Sequence, residues 1–391
     1  MQIIEVNSKQ NAKEFLKVNV LMNAGNPNYI QPLDNDVNDV FDAAKNKNFK
    51  YGEAKRWLLK DNAGKLVGRI AAFTNLKYIN KGTEFATGGV GYFDCINDTS
   101  AATLLFDTAK QWLQSKGMEA MDGPINFGDR DRNWGLLIEG FEKPPMYGIA
   151  YNPPYYKQLF EGYGFKDYYK QFYYDMPADI ELPAKFAERH AKFKAKAGYE
   201  ARHINKNNIE KHAEEFATVY NAAWAQHGEN KAITVEQAIK LFNKMKPVID
   251  ERMIWFVYYN NEPIAMWVNL PDLNQYFKHL HGKFGLLQKL KFLWLKKTIK
   301  PVDLTGIAFG IVPKYQALGV DSFMIYECAL LIQNKGWYGR YEMGWAGDWN
   351  PRMINIYKGL GASQSRLLIT YRFIFDEHKN PFERHPELQY K

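Results

Sequence analysis

Residues 311–321 read Ile-Val-Pro-Lys-Tyr-Gln-Ala-Leu-Gly-Val-Asp: a strand-like end, a short loop and the start of a helix. Backbone N–H groups along Val312, Gln316, Ala317, Leu318, Gly319, Val320 and Asp321 suit a diphosphate, and Gly319 lets a phosphate approach the chain. A second chemical candidate is Glu342, between Tyr341 and Met343 in an apolar-aromatic run. A carboxylate there has its pKa raised by burial and can accept a proton, or it is a structural group bonded to Arg340 or to backbone. Asp272 and Asn274, in Leu-Pro-Asp-Leu-Asn, face a substrate or simply form a turn. Asp129-Arg130-Asp131-Arg132 reads as a polar-headgroup site or as a solvated, salt-bridged turn, and His227 as a base or a bonded structural residue. No His, Cys and carboxylate set has metal-ligand spacing, and no Gly-x-Ser-x-Gly occurs.

These candidates sit in a chain of 391 residues, a length that fits two cores better than one. With 46% hydrophobic and 15% aromatic residues, burial of sizeable cores is expected and disorder is not. Cys95 and Cys328 offer neither a disulfide framework nor a zinc cluster, which favours a reduced, cytoplasmic setting. The first residues lack a signal-peptide pattern and no apolar run is long enough to span a bilayer, so association with the inner membrane would be peripheral. A net charge of +8 favours anionic partners such as anionic lipid or a phosphate-rich cofactor. Nucleic acid is the weaker use of that charge, because the aromatics follow no stacking pattern.

The chain repeats itself at an offset of 198. Asn7 and Asn205 close two short strands that each precede a helix, expected over residues 8–20 and 206–220. Trp57 and Trp255 open two hairpins, and Asn152-Pro153 and Asn350-Pro351 open two late helices, at the same offset. Residues 123–146 are unpaired in the first copy, and the second has extra length around 275–301. This gives two units, 1–176 and 199–391, joined by a helical connector over 177–198. The second copy then reads helix 235–246, strand 304–312, helix 318–335, strand 337–345, helix 351–358 and strands over 365–375. The plan is an α/β (α+β) fold with a mixed sheet in each copy.

The loop at Gln316-Ala317-Leu318-Gly319-Val320-Asp321 resembles the Gln/Arg-x-x-Gly-x-Gly/Ala signature of the GNAT superfamily of acyl-CoA N-acyltransferases, with Asp321 where the family has Gly or Ala. Asp321 either opposes a phosphate or points away as a first-turn helix residue. Asn350 followed by Tyr357 seven residues on resembles the family's other signature. Gly123-Pro124-Ile125-Asn126-Phe127, Pro144-Pro145-Met146 and Glu342-Met343-Gly344-Trp345 are similar to segments of a group of bacterial tandem-GNAT proteins, some implicated in sphingolipid assembly.

That resemblance implies acyl-CoA or acetyl-CoA as donor and an amine as acceptor, lipid or small. Tyr357 would protonate the departing thiolate, Asn350 would hold the pantetheine arm, Glu342 would take the amine proton, and the strand 304–312 would supply oxyanion donors. Asn126, Asp272 and Asn274 would face the acceptor. In the first copy Leu159 stands at the tyrosine position and no glycine-containing phosphate loop occurs, so that copy is expected to be silent. The alternative is a non-catalytic GNAT-fold binding or scaffold protein, and a third reading is transfer from aminoacyl-tRNA.

Residues 276–300 contain seven lysines and no acidic residue among many apolar ones. The segment either lies on an anionic bilayer or packs as a core helix with solvated lysines.

Overall fold

The computed structural model describes residues 1–78, 85–128, 130–224 and 232–384. Asp129 and His227 lie outside the described residues. The first half runs β1 (Gln2–Glu5), α1 (Lys9–Met22), α2 (Asp34–Val40), β2 (Gly52–Lys60), β3 (Leu66–Asn75), β4 (Thr87–Cys95), α3 (Thr99–Ser115), β5 (Ala120–Gly123), β6 (Leu136–Glu139), α4 (Tyr156–Tyr163) and β7 (Lys166–Pro177). Helix α5 (Ala184–Lys194) follows, and then the same order recurs. The second half runs β8 (Tyr199–His203), α6 (Ile209–Trp224), α7 (Val235–Met245), β9 (Ile254–Tyr259), β10 (Glu262–Pro271), α8 (Asn274–Phe277), α9 (Leu286–Thr298), β11 (Val302–Ile311), α10 (Val320–Ile332), β12 (Tyr338–Glu342), β13 (Ala346–Gly347), α11 (Pro351–Gly359) and β14 (Ser363–Ile374).

Local sequence explains many of the boundaries. Ser8, Asp98 and Asn350 cap α1, α3 and α11 by accepting from Asn11, Ala101 and Met353 N–H groups, and Thr234 and Gln237 form a capping box on α7. The β9–β10 hairpin turns on Asn260 and Asn261, both at positive φ, the conformation that a two-residue turn joining twisted strands requires. The strand expected over 337–345 ends at Glu342, where the chain loses its pairing with β11 and stays only along β7.

The strands form one sheet in the order β1-β2-β3-β4-β5-β14-β7-β12-β11-β10-β9-β8. The C-terminal strand β14 therefore lies between β5 and β7, both of the first half, and β7 pairs with β12 of the second. Alternation along each strand sends neighbours to opposite faces. Leu59 packs with Phe106 and Phe160 of α3 and α4, and Leu58 with Phe15 and Val18 of α1. In the second half α5, α10 and α11 cover one face, and α6 and α7 the other.

Candidate active site

Strands β11 and β12 run parallel through Val302↔Tyr338, Leu304↔Tyr341 and Thr305↔Glu342, and there they part. Met343 N–H donates to Tyr174 O at 2.8 Å, and β13 continues along β7. Beyond Thr305 the described residues place no strand against that edge of β11. Two glycines face each other at the parting point. A Cβ on Gly306 would lie 2.9 Å from the Tyr341 hydroxyl oxygen and 3.0 Å from Gly344 N. On its other edge β11 pairs with β10, where the register slips between Val268 and Asn269. Ile307 is left as the extra residue of a bulge, a device that re-aims backbone groups beside active sites.

Tyr357 on α11 reaches this opening. Its hydroxyl donates to Gly344 O at 2.8 Å, and its ring centroid lies 5.6 Å from that of Tyr174. Burial pushes the phenol well above its ordinary value, so it stays protonated at neutral pH. Asn350 is exposed, and its Oδ1 accepts from Met353 N–H at 3.1 Å as the cap of α11.

At the far end of β11, Val312 begins a tight turn in which Tyr315 N–H and Gln316 N–H donate to Val312 and Pro313 carbonyls. The Gln316 side chain folds back onto Ile311 O at 3.0 Å. Ala317 and Gly319 take positive φ, and Gly319 is the N-cap of α10, so the first amides of that helix start free of intrahelical partners. Gln316, Ala317 and Leu318 are exposed, Val320 is buried beneath them, and Asp321 sits in the first turn. A Cβ on Gly319 would meet Phe193 of α5 at 3.3 Å, and Arg189 of α5 donates to Ser322 Oγ at 3.3 Å. The connector helix thus covers one side of the turn and leaves residues 316–318 open. A glycine-held turn, helix amides and an adjacent guanidinium fit the diphosphate of a CoA thioester.

Glu342 is fully buried, and its neighbours are cations. Arg366 Nε donates to it at 2.7 Å, and Arg340 Nη1 lies 3.1 Å away. The carboxylate thus bridges a guanidinium of its own strand and one of β14. Arg366, which sequence reasoning missed, also donates to the carbonyls of Lys143 at 3.0 Å and Pro144 at 2.6 Å. Its signal was an arginine directly before the apolar run Leu367-Leu368-Ile369 of β14.

Asp272 and Asn274 serve the same insertion. Asp272 accepts from Tyr147 N–H at 2.8 Å, and Asn274 donates to Pro145 O at 2.8 Å. Burial pushes the Asp272 carboxyl up to about 6. Asn126 lies elsewhere, accepting from Tyr92 OH at 2.9 Å. In the first half the gap beside β4 is filled: Ile125 N–H donates to Val90 O at 2.8 Å, and a Cβ on Gly91 would lie 1.9 Å from Ile125 O.

The insertion also delivers a carboxylate to the second half. Exposed Asp131 accepts from Trp345 Nε1–H at 3.1 Å, one residue from the glycine that anchors Tyr357. After burial, its charge is the next influence raising the Tyr173 and Tyr220 hydroxyls. Tyr173 and Tyr174 alternate across β7, so Asp131 lies on the α6 side of the sheet and Tyr357 on the α10–α11 side. Among the described residues no group suits a metal ion. A cavity of about 580 Å3 lies in the first half, between the end of α1 and Pro153-Pro154, and shares no residue with this set.

The parallel pair that splays beside a bulge, the turn onto α10 and the duplication of the whole plan define the fold class. The chain has the tandem GNAT fold. It is similar to a tandem GNAT protein from the clavulanic acid biosynthesis pathway, with a TM-score of 0.54 and 9% identity over 96% of this chain and 98% of that one. It also resembles a GCN5-related glucosamine N-acetyltransferase region of a fungal multi-domain GH3 β-N-acetylglucosaminidase, with a TM-score of 0.55 and 11% identity. That match covers 95% of this chain and spans 38% of the other's length. Among curated proteins, the bacterial ceramide synthase of Caulobacter vibrioides is 27% identical over 382 residues, 95% of this chain and 96% of that one. No protein-family model matches.

Proposed function

We propose that the chain is an acyl-CoA-dependent N-acyltransferase whose reaction takes place in the second half, with a long-chain amine as acceptor. The observation that carries this reading is Tyr357 OH at Gly344 O, where β11 parts from β12 opposite the bulge at Ile307. The likeness to a bacterial ceramide synthase supports the acceptor class.

In this reading residues 316–321 hold the donor's diphosphate, and the thioester lies along β11 in the gap. The free amine attacks the thioester carbon from the α6 side, where Asp131 holds the incoming ammonium group before its proton leaves to water. Backbone N–H groups of β11 stabilise the oxyanion. As the C–S bond breaks, Tyr357 gives its proton to the sulfur; the attacking nitrogen loses its remaining extra proton to water, and water returns a proton to the phenolate. Glu342, Asp272 and Asn274 act by fixing the insertion over the gap. The first half, with its gap filled by Ile125 and Leu159 buried at the tyrosine position, is a scaffold.

The test is to incubate the full chain with palmitoyl-CoA and sphinganine, and separately with acetyl-CoA and small amines, following thiol release and amide product by mass spectrometry. The expected result is an N-acyl product with the long-chain pair. CoA binding without transfer to any amine would favour the non-catalytic alternative.

A further inference from the structure

Helix α9 is an insertion between β10 and β11 that the reaction above does not use. Its inner side is fastened: Phe292 and Leu295 are buried, and the Phe292 ring lies 5.5 Å from Tyr276 and 5.7 Å from Phe277. Its outer side is not covered. Leu286, Leu287, Leu290, Leu293 and Trp294 are between 52% and 76% exposed. Their spacing places them on one helical face. Exposed apolar residues are ordinarily scattered singly; here five of the fourteen large ones among the described residues fall on nine consecutive positions. The helix is held in place by a small core yet presents leucine and tryptophan to the outside.

Charge selects what covers that face. Lys278, Lys289, Lys291, Lys297 and Lys300 are exposed around it, and no acidic residue occurs between Asp272 and Asp303. A second copy of this chain would set one lysine rim against another. A convex apolar ridge edged by cations fits a plane of anionic headgroups over acyl chains, with Trp294 at the depth where tryptophan concentrates. No helix among the described residues is long and apolar enough to cross a membrane.

We propose that the outer face of α9 docks the protein on an anionic lipid bilayer. The docking stands independently of the acyl-transfer reading, but its placement bears on it. Residues 299–301 lead from α9 into β11 at Val302; Gly306 lies about 13 Å along that strand, and the phosphate turn lies beyond its other end. The lipid face and the phosphate turn thus flank the opening from opposite ends of β11.

The full chain should sediment with vesicles of phosphatidylcholine containing 30 mol% phosphatidylglycerol and lose most of that binding at high salt, with little sedimentation on phosphatidylcholine alone. The double variant Leu290→Glu/Leu293→Glu, both exposed positions, should lower the partition at least tenfold with an unchanged circular dichroism spectrum. Lys289→Glu/Lys297→Glu should remove the salt-sensitive part. Trp294 emission should shift to the blue on binding and be quenched by brominated lipid. Absence of sedimentation with the anionic vesicles, or equal sedimentation of the leucine variant, overturns the proposal. So does a wild-type dimer that the leucine substitutions disperse, which would assign the face to self-association.

Discussion

Arg366 on the last strand donates from Nε to Glu342 on β12 across 2.7 Å, with both side chains out of contact with solvent. The pair fixes the edge from which β11 departs, and the same guanidinium holds the insertion through three carbonyls. Removing one partner of a buried pair leaves a charge with too little compensation. Arg366→Met is therefore expected to lose about 3–5 kcal/mol of stability, seen as a lower urea midpoint. The double variant Arg366→Met/Glu342→Gln should recover part of it. A loss below about 1 kcal/mol, the scale of an exposed pair, would mean the charges relax to solvent.

Tyr357→Phe removes a hydroxyl without changing the ring that packs on Tyr174. General acids contribute roughly 100-fold or more to transfer. The rate of thiol release at pH 7 is expected to fall by about that factor, with CoA affinity by calorimetry within about twofold of wild type. Equal rates would remove the phenol from the reaction.

Gly319→Ala puts a side chain at φ +95° and 3.3 Å from Phe193. A left-handed residue with a Cβ costs about 1–2 kcal/mol, and the turn must shift to relieve it. CoA affinity should drop about tenfold, since each factor of ten is about 1.4 kcal/mol. Adding Phe193→Ala removes the contact but not the backbone strain, so affinity should stay below wild type.

Much of this was legible in the sequence because it is local. The offset of 198 placed both hairpins, and the loop from Val312 to Asp321 followed from a strand end, a glycine and a helix start. What was not legible is pairing at long range. Nothing near Ser363 says that β14 will lie between β5 and β7, since both partners are strands of the first half, far away in sequence. Glu342 met Arg340, as the structural reading of that carboxylate supposed, but its stronger partner Arg366 is 24 residues away. In the sequence the insertion is only unpaired length in the first copy, yet it carries β6 and is tied down by Arg366, Asp272 and Asn274. Its Asp131 was one half of a choice between site and solvated turn that only the position of Trp345 informs.

Asp272 gives a pH dependence with a definite sign. Burial pushes its carboxyl up to about 6, with Arg340 opposing, so ionisation is harder in the folded chain than in the unfolded one. Its contribution is therefore full below the ordinary carboxylate range near pH 4 and is lost as the pH rises through about 6. Asp272→Asn keeps an acceptor for Tyr147 N–H and does not ionise. Relative to this variant, the wild type should lose roughly 3 kcal/mol between pH 4 and 7, read from urea midpoints at each pH. A constant difference would show that the folded chain leaves the carboxyl at its ordinary value.

Asp131 reaches the second half from an insertion of the first, and its Oδ1 is occupied by Trp345 while Oδ2 has no cation paired to it among the described residues. An acceptor amine arrives as an ammonium ion at neutral pH, and a carboxylate beside aromatic rings attracts it by charge and by the ring faces. Asp131→Asn preserves the bond to Trp345 and removes only the charge. The KM for sphinganine is expected to rise about tenfold, with kcat and CoA affinity within about twofold and thioester hydrolysis by water unchanged. Asp131→Glu should retain most of the affinity. A variant that lowers kcat and leaves KM alone would place the carboxylate in the chemical step and not in acceptor binding.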